Sequence, residues 1–163
     1  MKLILLLSFL ILLIACQRKK IDSSCCSNPA TQIVFDGGYL SVPNLFTPDG
    51  DGYHDWFVVQ SVGLTSFNIE VENKNGKSFY SSTDTSFFWD AYNDKNGGTL
   101  GGFFYYHVTA TGIDGTQIDE HGTLCVISEY HGCIKNTETC VFESNWDGTS
   151  FVEPVEDDIY GCP

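Results

Sequence analysis

The sequence predicts an all-β domain over residues 39–128, folded as an antiparallel β-sandwich of about seven strands. The prediction rests on segments of alternating polarity and on hairpin turns between them. Aromatic residues make up 14% of the chain, which supplies bulk for a core between two sheets. No stretch after the N-terminal apolar run keeps a helical period.

The first predicted hairpin begins in a half-buried strand. Phe67, Ile69 and Val71 alternate with polar residues, which places the apolar side chains on one face. The strand is followed by Asn73-Lys74-Asn75-Gly76, and Asn-Gly is a strong hairpin signal. Residues 77–81 are therefore predicted to return antiparallel to it.

A second hairpin is predicted around Gly112-Ile113-Asp114-Gly115. Its strands are the aromatic-rich segment 103–111 and a partner at residues 122–127. Between the two hairpins, residues 84–96 are predicted to form a longer crossing loop.

The N-terminus has the features of an export signal. Lys2 precedes an apolar run over residues 3–14, too short for a membrane-spanning helix of roughly 20 residues. The run ends in Leu13-Ile14-Ala15-Cys16, which resembles the lipobox of bacterial lipoproteins. The resemblance implies that residues 1–15 are a signal peptide and that Cys16 carries the lipid. Multiple acyl chains make such a membrane attachment effectively stable.

Residues 16–38 are predicted to be a lipidated tether, because they contain Ser, Asn, Gly and Pro with little apolar periodicity. The tether begins with the basic run Arg18-Lys19-Lys20. Surface export of such lipoproteins is associated with acidic residues just after the cysteine. The basic run therefore favours the periplasmic face of the outer membrane over the cell surface.

Cysteine usage agrees with export. With Cys16 assigned to the lipid, six cysteines remain as disulfide candidates: Cys25, Cys26, Cys125, Cys133, Cys140 and Cys162. Exported thiols usually oxidise, so three disulfides are expected, some joining the tether to an acidic C-terminal extension at residues 129–163. The alternative is a zinc site of His131, Cys133 and Cys140, whose spacing fits no standard pattern.

The chain is strongly acidic, with 21 acidic against 8 basic residues and a formal net charge of −13. A nucleic-acid partner is not expected, because phosphate contacts require a basic surface. The acidity is compatible with solubility outside the cytoplasm or with calcium binding.

The most unusual stretch runs from Pro43 to Phe57, where prolines, glycines and three alternately spaced aspartates lie between apolar runs. Two interpretations remain open. The carboxylates of Asp49 and Asp51 accept backbone N–H groups in consecutive tight turns, or Asp49, Asp51 and Asp55 converge on a hard cation.

An EF-hand is excluded at this stretch, because His54 and Gln60 stand where its invariant glycine and bidentate glutamate belong. A less regular calcium site remains as the candidate metal centre. Its oxygens would come from Asp49, Asp51, the Tyr53 carbonyl and Asp55, with a distant carboxylate such as Asp90.

Several motifs occur in one order along residues 42–127. They are Asn44-Leu45-Phe46-Thr47-Pro48-Asp49-Gly50-Asp51-Gly52, Phe67-Asn68-Ile69-Glu70-Val71-Glu72-Asn73 before Gly76, Trp89-Asp90, Gly102-Phe103-Phe104-Tyr105-Tyr106, Asp114-Gly115 and Gly122-Thr123. The set resembles the gliding-motility-associated C-terminal domain, also called the type B sorting domain of type IX secretion. The resemblance implies an immunoglobulin-like β-sandwich in an exported protein of bacteria that use this secretion route.

The chain departs from the family pattern at several positions. Asp49 replaces an asparagine, His54-Asp55 replaces Asn-Asp, and Trp89-Asp90-Ala91 replaces Trp-Asp-Gly. The family domain normally ends a large secreted cargo, whereas here it makes up most of the chain after Cys16. A stand-alone lipoprotein is therefore expected.

No motif supports catalysis. The chain lacks H-E-x-x-H, G-x-S-x-G, a phosphate loop and a dinucleotide fingerprint, and its four histidines are dispersed. His107 and His121 are predicted to be ordinary sheet residues. The protein is therefore not expected to be an enzyme.

The favoured hypothesis is a non-catalytic, lipid-anchored outer-membrane subunit that docks onto larger membrane or secretion- and gliding-related proteins. The alternative is a carbohydrate-binding or adhesion module. That alternative is motivated by aromatic residues near turns, most of which are expected in the core: Tyr53, Trp56, Trp89, Tyr92 and Trp146.

Overall fold

The computed structural model describes residues 29–128 apart from Asp94 and Asn96. Within this range the chain forms strands and no helix, so the predicted all-β class is confirmed. The strands are β1 (Thr31–Phe35), β2 (Gly38–Val42), β3 (Leu45–Phe46), β4 (Gln60–Val62), β5 (Leu64–Glu72), β6 (Ser78–Ser82), β7 (Tyr92–Asn93), β8 (Gly98–Thr99), β9 (Gly102–Gly112) and β10 (Gln117–Val126). No membrane-spanning helix occurs among these residues.

The strands form three sheets. A three-stranded sheet has the order β1-β2-β4, a five-stranded sheet has the order β3-β10-β9-β5-β6, and β7 pairs with β8. Three of the ten described strands, β3, β7 and β8, have two residues each, so seven are longer. The sequence predicted about seven strands, and the structure has ten in the described residues, because the three two-residue strands carry no alternation that a sequence can show.

The first predicted hairpin is confirmed. β5 pairs antiparallel with β6, and the turn between them is closed by the Gly76 N–H donating to the Asn73 carbonyl at 2.9 Å. Gly76 has a φ of 72°, which its missing Cβ permits at little cost. Phe67, Ile69 and Val71 are buried on the inner face, as the alternation predicted.

The second hairpin is also confirmed, between β9 and β10. The two strands pair antiparallel from Gly102 opposite Val126 to Thr111 opposite Gln117. β10 begins five residues before the predicted Gly122, because the paired ladder continues almost to the turn at Asp114.

The core takes side chains from both larger sheets. Leu40 and Val42 come from the three-stranded sheet, and Ile69, Tyr106 and Leu124 come from the five-stranded sheet. All five are at most 1% exposed. Full burial of such a side chain stabilises the fold by about 1.5–3 kcal/mol.

The predicted C-terminal boundary of the tether lies too late in the chain. Thr31–Phe35, inside the segment assigned to the tether, forms β1 and pairs antiparallel with β2. Ile33 and Phe35 pack against the core, which explains why this segment folds with the domain. The signal peptide, Cys16 and the extension at residues 129–163 lie outside the described residues.

Candidate functional site

The aspartate turn, residues 47–55, lies between two buried aromatic anchors. Phe46 ends β3, and Phe57 makes an antiparallel bridge with Trp89. The rings of Phe46 and Phe57 are 5.9 Å apart, centroid to centroid. The Thr47 N–H donates to the His54 carbonyl at 2.8 Å and closes the turn. The turn is therefore fixed to the core at both ends.

The aspartate side chains organise the turn from within. The Asp55 carboxylate accepts from two backbone N–H groups, that of Gly50 at 2.7 Å and that of Gly52 at 2.9 Å. Asp49 accepts from the Asp51 N–H at 3.2 Å, and Asp51 accepts from the Tyr53 N–H at 2.8 Å. The first of the two sequence interpretations, carboxylates capping consecutive tight turns, is therefore confirmed.

The same folding also brings the three carboxylates together. One oxygen each from Asp49, Asp51 and Asp55 can be chosen so that all lie within 4.8 Å of one another. Oxygen ligands in this arrangement suit a hard cation such as calcium. Asp90 is engaged locally, since its carboxylate accepts from the Tyr92 N–H at 2.9 Å.

An exposed aromatic pair flanks the turn. Trp56 and Phe88 meet edge to face with ring centroids 5.0 Å apart, although they are 45% and 63% exposed. They lie next to the bridging residues Phe57 and Trp89, whose side chains are buried. Tyr53, in the turn itself, is also exposed.

The expectation that most of the aromatic residues near turns lie in the core is wrong for the described residues. Trp89 is buried, but Tyr53, Trp56 and Tyr92 are each 45% exposed or more. A strand-like alternation explains the outcome at the bridge, where Phe57 and Trp89 face inward and their preceding neighbours face outward. Trp146 lies outside the described residues.

Two histidines predicted to be ordinary sheet residues form a cluster that sequence reasoning missed. His107 Nε2 is 2.7 Å from Asp119 Oδ1, and the rings of His107 and His121 stack with centroids 4.0 Å apart. The sequence did contain a signal that the two histidines face each other. His107 and His121 lie seven residues before and after Asp114, so a hairpin centred there makes them opposite.

The cysteine and zinc predictions stay predictions. Cys125 is 1% exposed at the end of β10. The other disulfide candidates, Cys25, Cys26, Cys133, Cys140 and Cys162, lie outside the described residues, as does His131.

Comparison with known families agrees with the motifs. A family model, the CHU_C type IX secretion signal domain, matches residues 40–126, which is more than half of the chain. The match covers the aspartate turn, the bridge at Trp89 and both hairpins. No curated protein matches the chain.

Proposed function

The chain belongs to the type IX secretion signal domain family, and we propose that it is a non-catalytic interaction subunit that docks onto larger secretion- or gliding-related proteins. Family membership gives the protein a secretion-related context at the cell envelope. The proposal includes three specific features: an immunoglobulin-like sandwich, a lipid anchor at the outer membrane and a docking surface.

The observation that carries the docking role is the aromatic pair of Trp56 and Phe88. Aromatic residues are enriched in protein interfaces, and tryptophan is frequent among the residues that contribute most binding energy. Trp56 and Phe88 already contact each other edge to face, and their chain neighbours Phe57 and Trp89 are held in the buried bridge, so little side-chain freedom is lost when a partner covers the pair. We assign the docking surface to this pair and the adjacent Tyr53.

The lipid anchor is supported by the sequence before the domain. The short apolar run has the features of an export signal, and its end, Leu13-Ile14-Ala15-Cys16, resembles the lipobox of bacterial lipoproteins. A lipidated Cys16 holds the domain close to the membrane, which raises its effective concentration near membrane-embedded partners. The basic run after Cys16 favours the periplasmic face.

Co-purification tests the proposal. Membranes are extracted with several mild detergents after cross-linking, and the tagged protein is isolated. The expected result is recovery of the same outer-membrane partners in each detergent. Recovery of a free monomer under all conditions contradicts the docking role. Mass spectrometry of the N-terminal peptide separately tests whether Cys16 is acylated.

A carbohydrate-binding or adhesion role is the second candidate, and the exposure of Tyr53 and Trp56 favours it. Exposed aromatic rings can pack against the apolar faces of sugars. A glycan array and a cell-wall pull-down distinguish the two roles. Binding to a defined polysaccharide supports adhesion, and the absence of binding across polysaccharides removes this candidate.

We also propose that the aspartate turn binds calcium. The support is the convergence of the Asp49, Asp51 and Asp55 carboxylates within 4.8 Å. Calcium binding to the wild type and to Asp51→Ala is compared by calorimetry. Heat of binding in the wild type that is lost in the variant is expected, and the absence of heat in both proteins contradicts the proposal.

A further inference from the structure

A second cluster of polar side chains lies on the five-stranded sheet, away from the aspartate turn. His107 belongs to β9, and Asp119 and His121 belong to β10. His107 lies directly opposite His121 in the antiparallel ladder. Asp119 is two residues from His121, so all three side chains leave the sheet on the same face.

The three side chains are close enough to share one ion. Each offers a ligand atom, and these atoms all lie within 4.8 Å of one another. Two donors at about 2.1 Å from the same ion are at most about 4.2 Å apart, so the ligand atoms are already near the separation that a shared ion requires. The two imidazole rings are stacked, with 9° between their planes. Because the nitrogen lone pairs lie in the ring planes, at least one ring turns out of the stack when both histidines bind the same ion.

We propose that His107, Asp119 and His121 bind a divalent transition-metal cation of the Zn²⁺ and Ni²⁺ class. Imidazole nitrogens combined with a carboxylate suit these metals, whereas calcium prefers oxygen ligands alone. The site is therefore chemically distinct from the aspartate turn.

The surroundings favour a cation that enters from solvent. The side chains of His107 and Asp119 are 40% and 74% exposed, so water can complete the coordination. Glu70 lies opposite His107 on the neighbouring strand β5 and adds negative charge beside the ligands. The ligands stand on two long paired strands, which hold their backbone positions more firmly than a loop.

Without an ion, the same groups form a histidine–carboxylate hydrogen bond and a histidine stack, which is a purely structural arrangement. The two roles differ in a measurable way. A structural cluster contributes to stability equally with or without metal. A metal site makes stability rise with metal concentration, because the ion binds only the folded state.

Calorimetry with Zn²⁺ and with Ni²⁺ on the full chain is the first test. His121→Ala and Asp119→Asn are compared with the wild type and with Glu120→Gln. The control Glu120→Gln also removes one negative charge, but residue 120 points to the opposite face of β10 from Asp119 and His121. The expected result is one binding event that is at least about tenfold weaker in the two ligand variants and unchanged in the control.

A spectroscopic measurement identifies the ligands independently of the affinity. Cu²⁺ bound to the wild type is expected to show hyperfine coupling to two imidazole nitrogens, and His107→Ala is expected to reduce this to one. If His121→Ala binds the metal with unchanged affinity, or if Cu²⁺ in His107→Ala still couples to two imidazole nitrogens, the metal is bound elsewhere and the proposal is overturned. Absence of binding by the wild type also overturns it.

Discussion

Gly122 lies directly opposite Tyr106 across the ladder between β9 and β10, and the tyrosine ring occupies the space where a side chain at position 122 would lie. Tyr106 is only 1% exposed, so the ring cannot move aside into solvent. The glycine of the Gly122-Thr123 motif is therefore required by packing against an aromatic residue.

Gly122→Ala is expected to destabilise the fold by about 1–3 kcal/mol, because the new methyl group overpacks the core against Tyr106. Denaturant unfolding measures the change. Gly98→Ala is the matched control, since no atom lies within 4 Å of the added Cβ there. Equal unfolding midpoints for wild type and Gly122→Ala contradict this account of the motif.

Ala91→Gly is expected to stabilise the protein by up to about 1 kcal/mol. Ala91 has a φ of 55°, in the left-handed region that favours glycine. The gain is reduced by the greater freedom that glycine has in the unfolded chain. The comparison is Ala110→Gly, at another buried alanine whose φ is not positive.

Ala110→Gly is expected to destabilise the fold by roughly 0.5–1 kcal/mol or more, because glycine weakens a strand interior. In thermal unfolding, the melting temperature is therefore expected to rise for Ala91→Gly and to fall for Ala110→Gly. Destabilisation of the same size in both would mean that the backbone at Ala91 carries no strain.

Tyr106→Phe is expected to lower stability near neutral pH by about 0.5–1.5 kcal/mol. The Tyr106 hydroxyl is 2.8 Å from Thr31 Oγ1, and this hydrogen bond connects β9 to β1 in the other sheet. The variant leaves the Thr31 hydroxyl without this partner.

The effect of Tyr106→Phe should depend on pH. Burial raises the pKa of Tyr106 above its ordinary value of 10.0. The contribution of the neutral phenol is therefore complete below pH 10 and is lost as pH rises above it, because the unfolded chain ionises first. The stability gap between wild type and variant, measured by denaturant unfolding from pH 8 to pH 11, should narrow. A stability difference between wild type and Tyr106→Phe that does not change with pH contradicts the stabilising role of the neutral Tyr106 hydroxyl.

Local signals were sufficient to predict much of the fold. Asn75-Gly76 and Asp114-Gly115 identified both hairpin turns, and the alternation at Phe67, Ile69 and Val71 identified the buried face of β5. These features depend on neighbouring residues, so a single sequence contains them. The aspartate turn was recognised for the same reason. Asp49 and Asp51 were predicted to accept backbone N–H groups, whereas Asp55, which accepts from Gly50 and Gly52, was predicted only as a cation ligand.

The features that were missed depend on residues far apart in the chain. β1 becomes part of the domain only by pairing with β2 and packing on the core. The cluster of His107 and His121 requires the register of the β9–β10 hairpin. The exposure of Trp56 follows from the bridge between Phe57 and Trp89, which joins segments about thirty residues apart.

Two departures from the family pattern fall at residues with an uncommon backbone conformation. Among the described residues, the non-glycine residues with positive φ are His54 and Ala91, at 51° and 55°. The family pattern has asparagine and glycine at these positions, and both residue types tolerate this backbone better. His54 and Ala91 therefore hold this backbone conformation at a higher cost than asparagine and glycine would.

The docking role is tested most directly by quantifying the cross-linked partner recovered with Trp56→Ala/Phe88→Ala. Ile113→Ser is the control, because Ile113 is another exposed apolar side chain, in the turn after β9. Recovery of the partner at least about tenfold below wild type is expected for the double variant, since truncating a hot-spot aromatic residue costs about 2 kcal/mol or more of binding free energy. The control should match the wild type. Wild type, the double variant and the control are compared when each is folded and present in the membrane at equal amounts. If the same amount of partner is recovered with all three proteins, the assignment of the docking surface to the aromatic pair is contradicted.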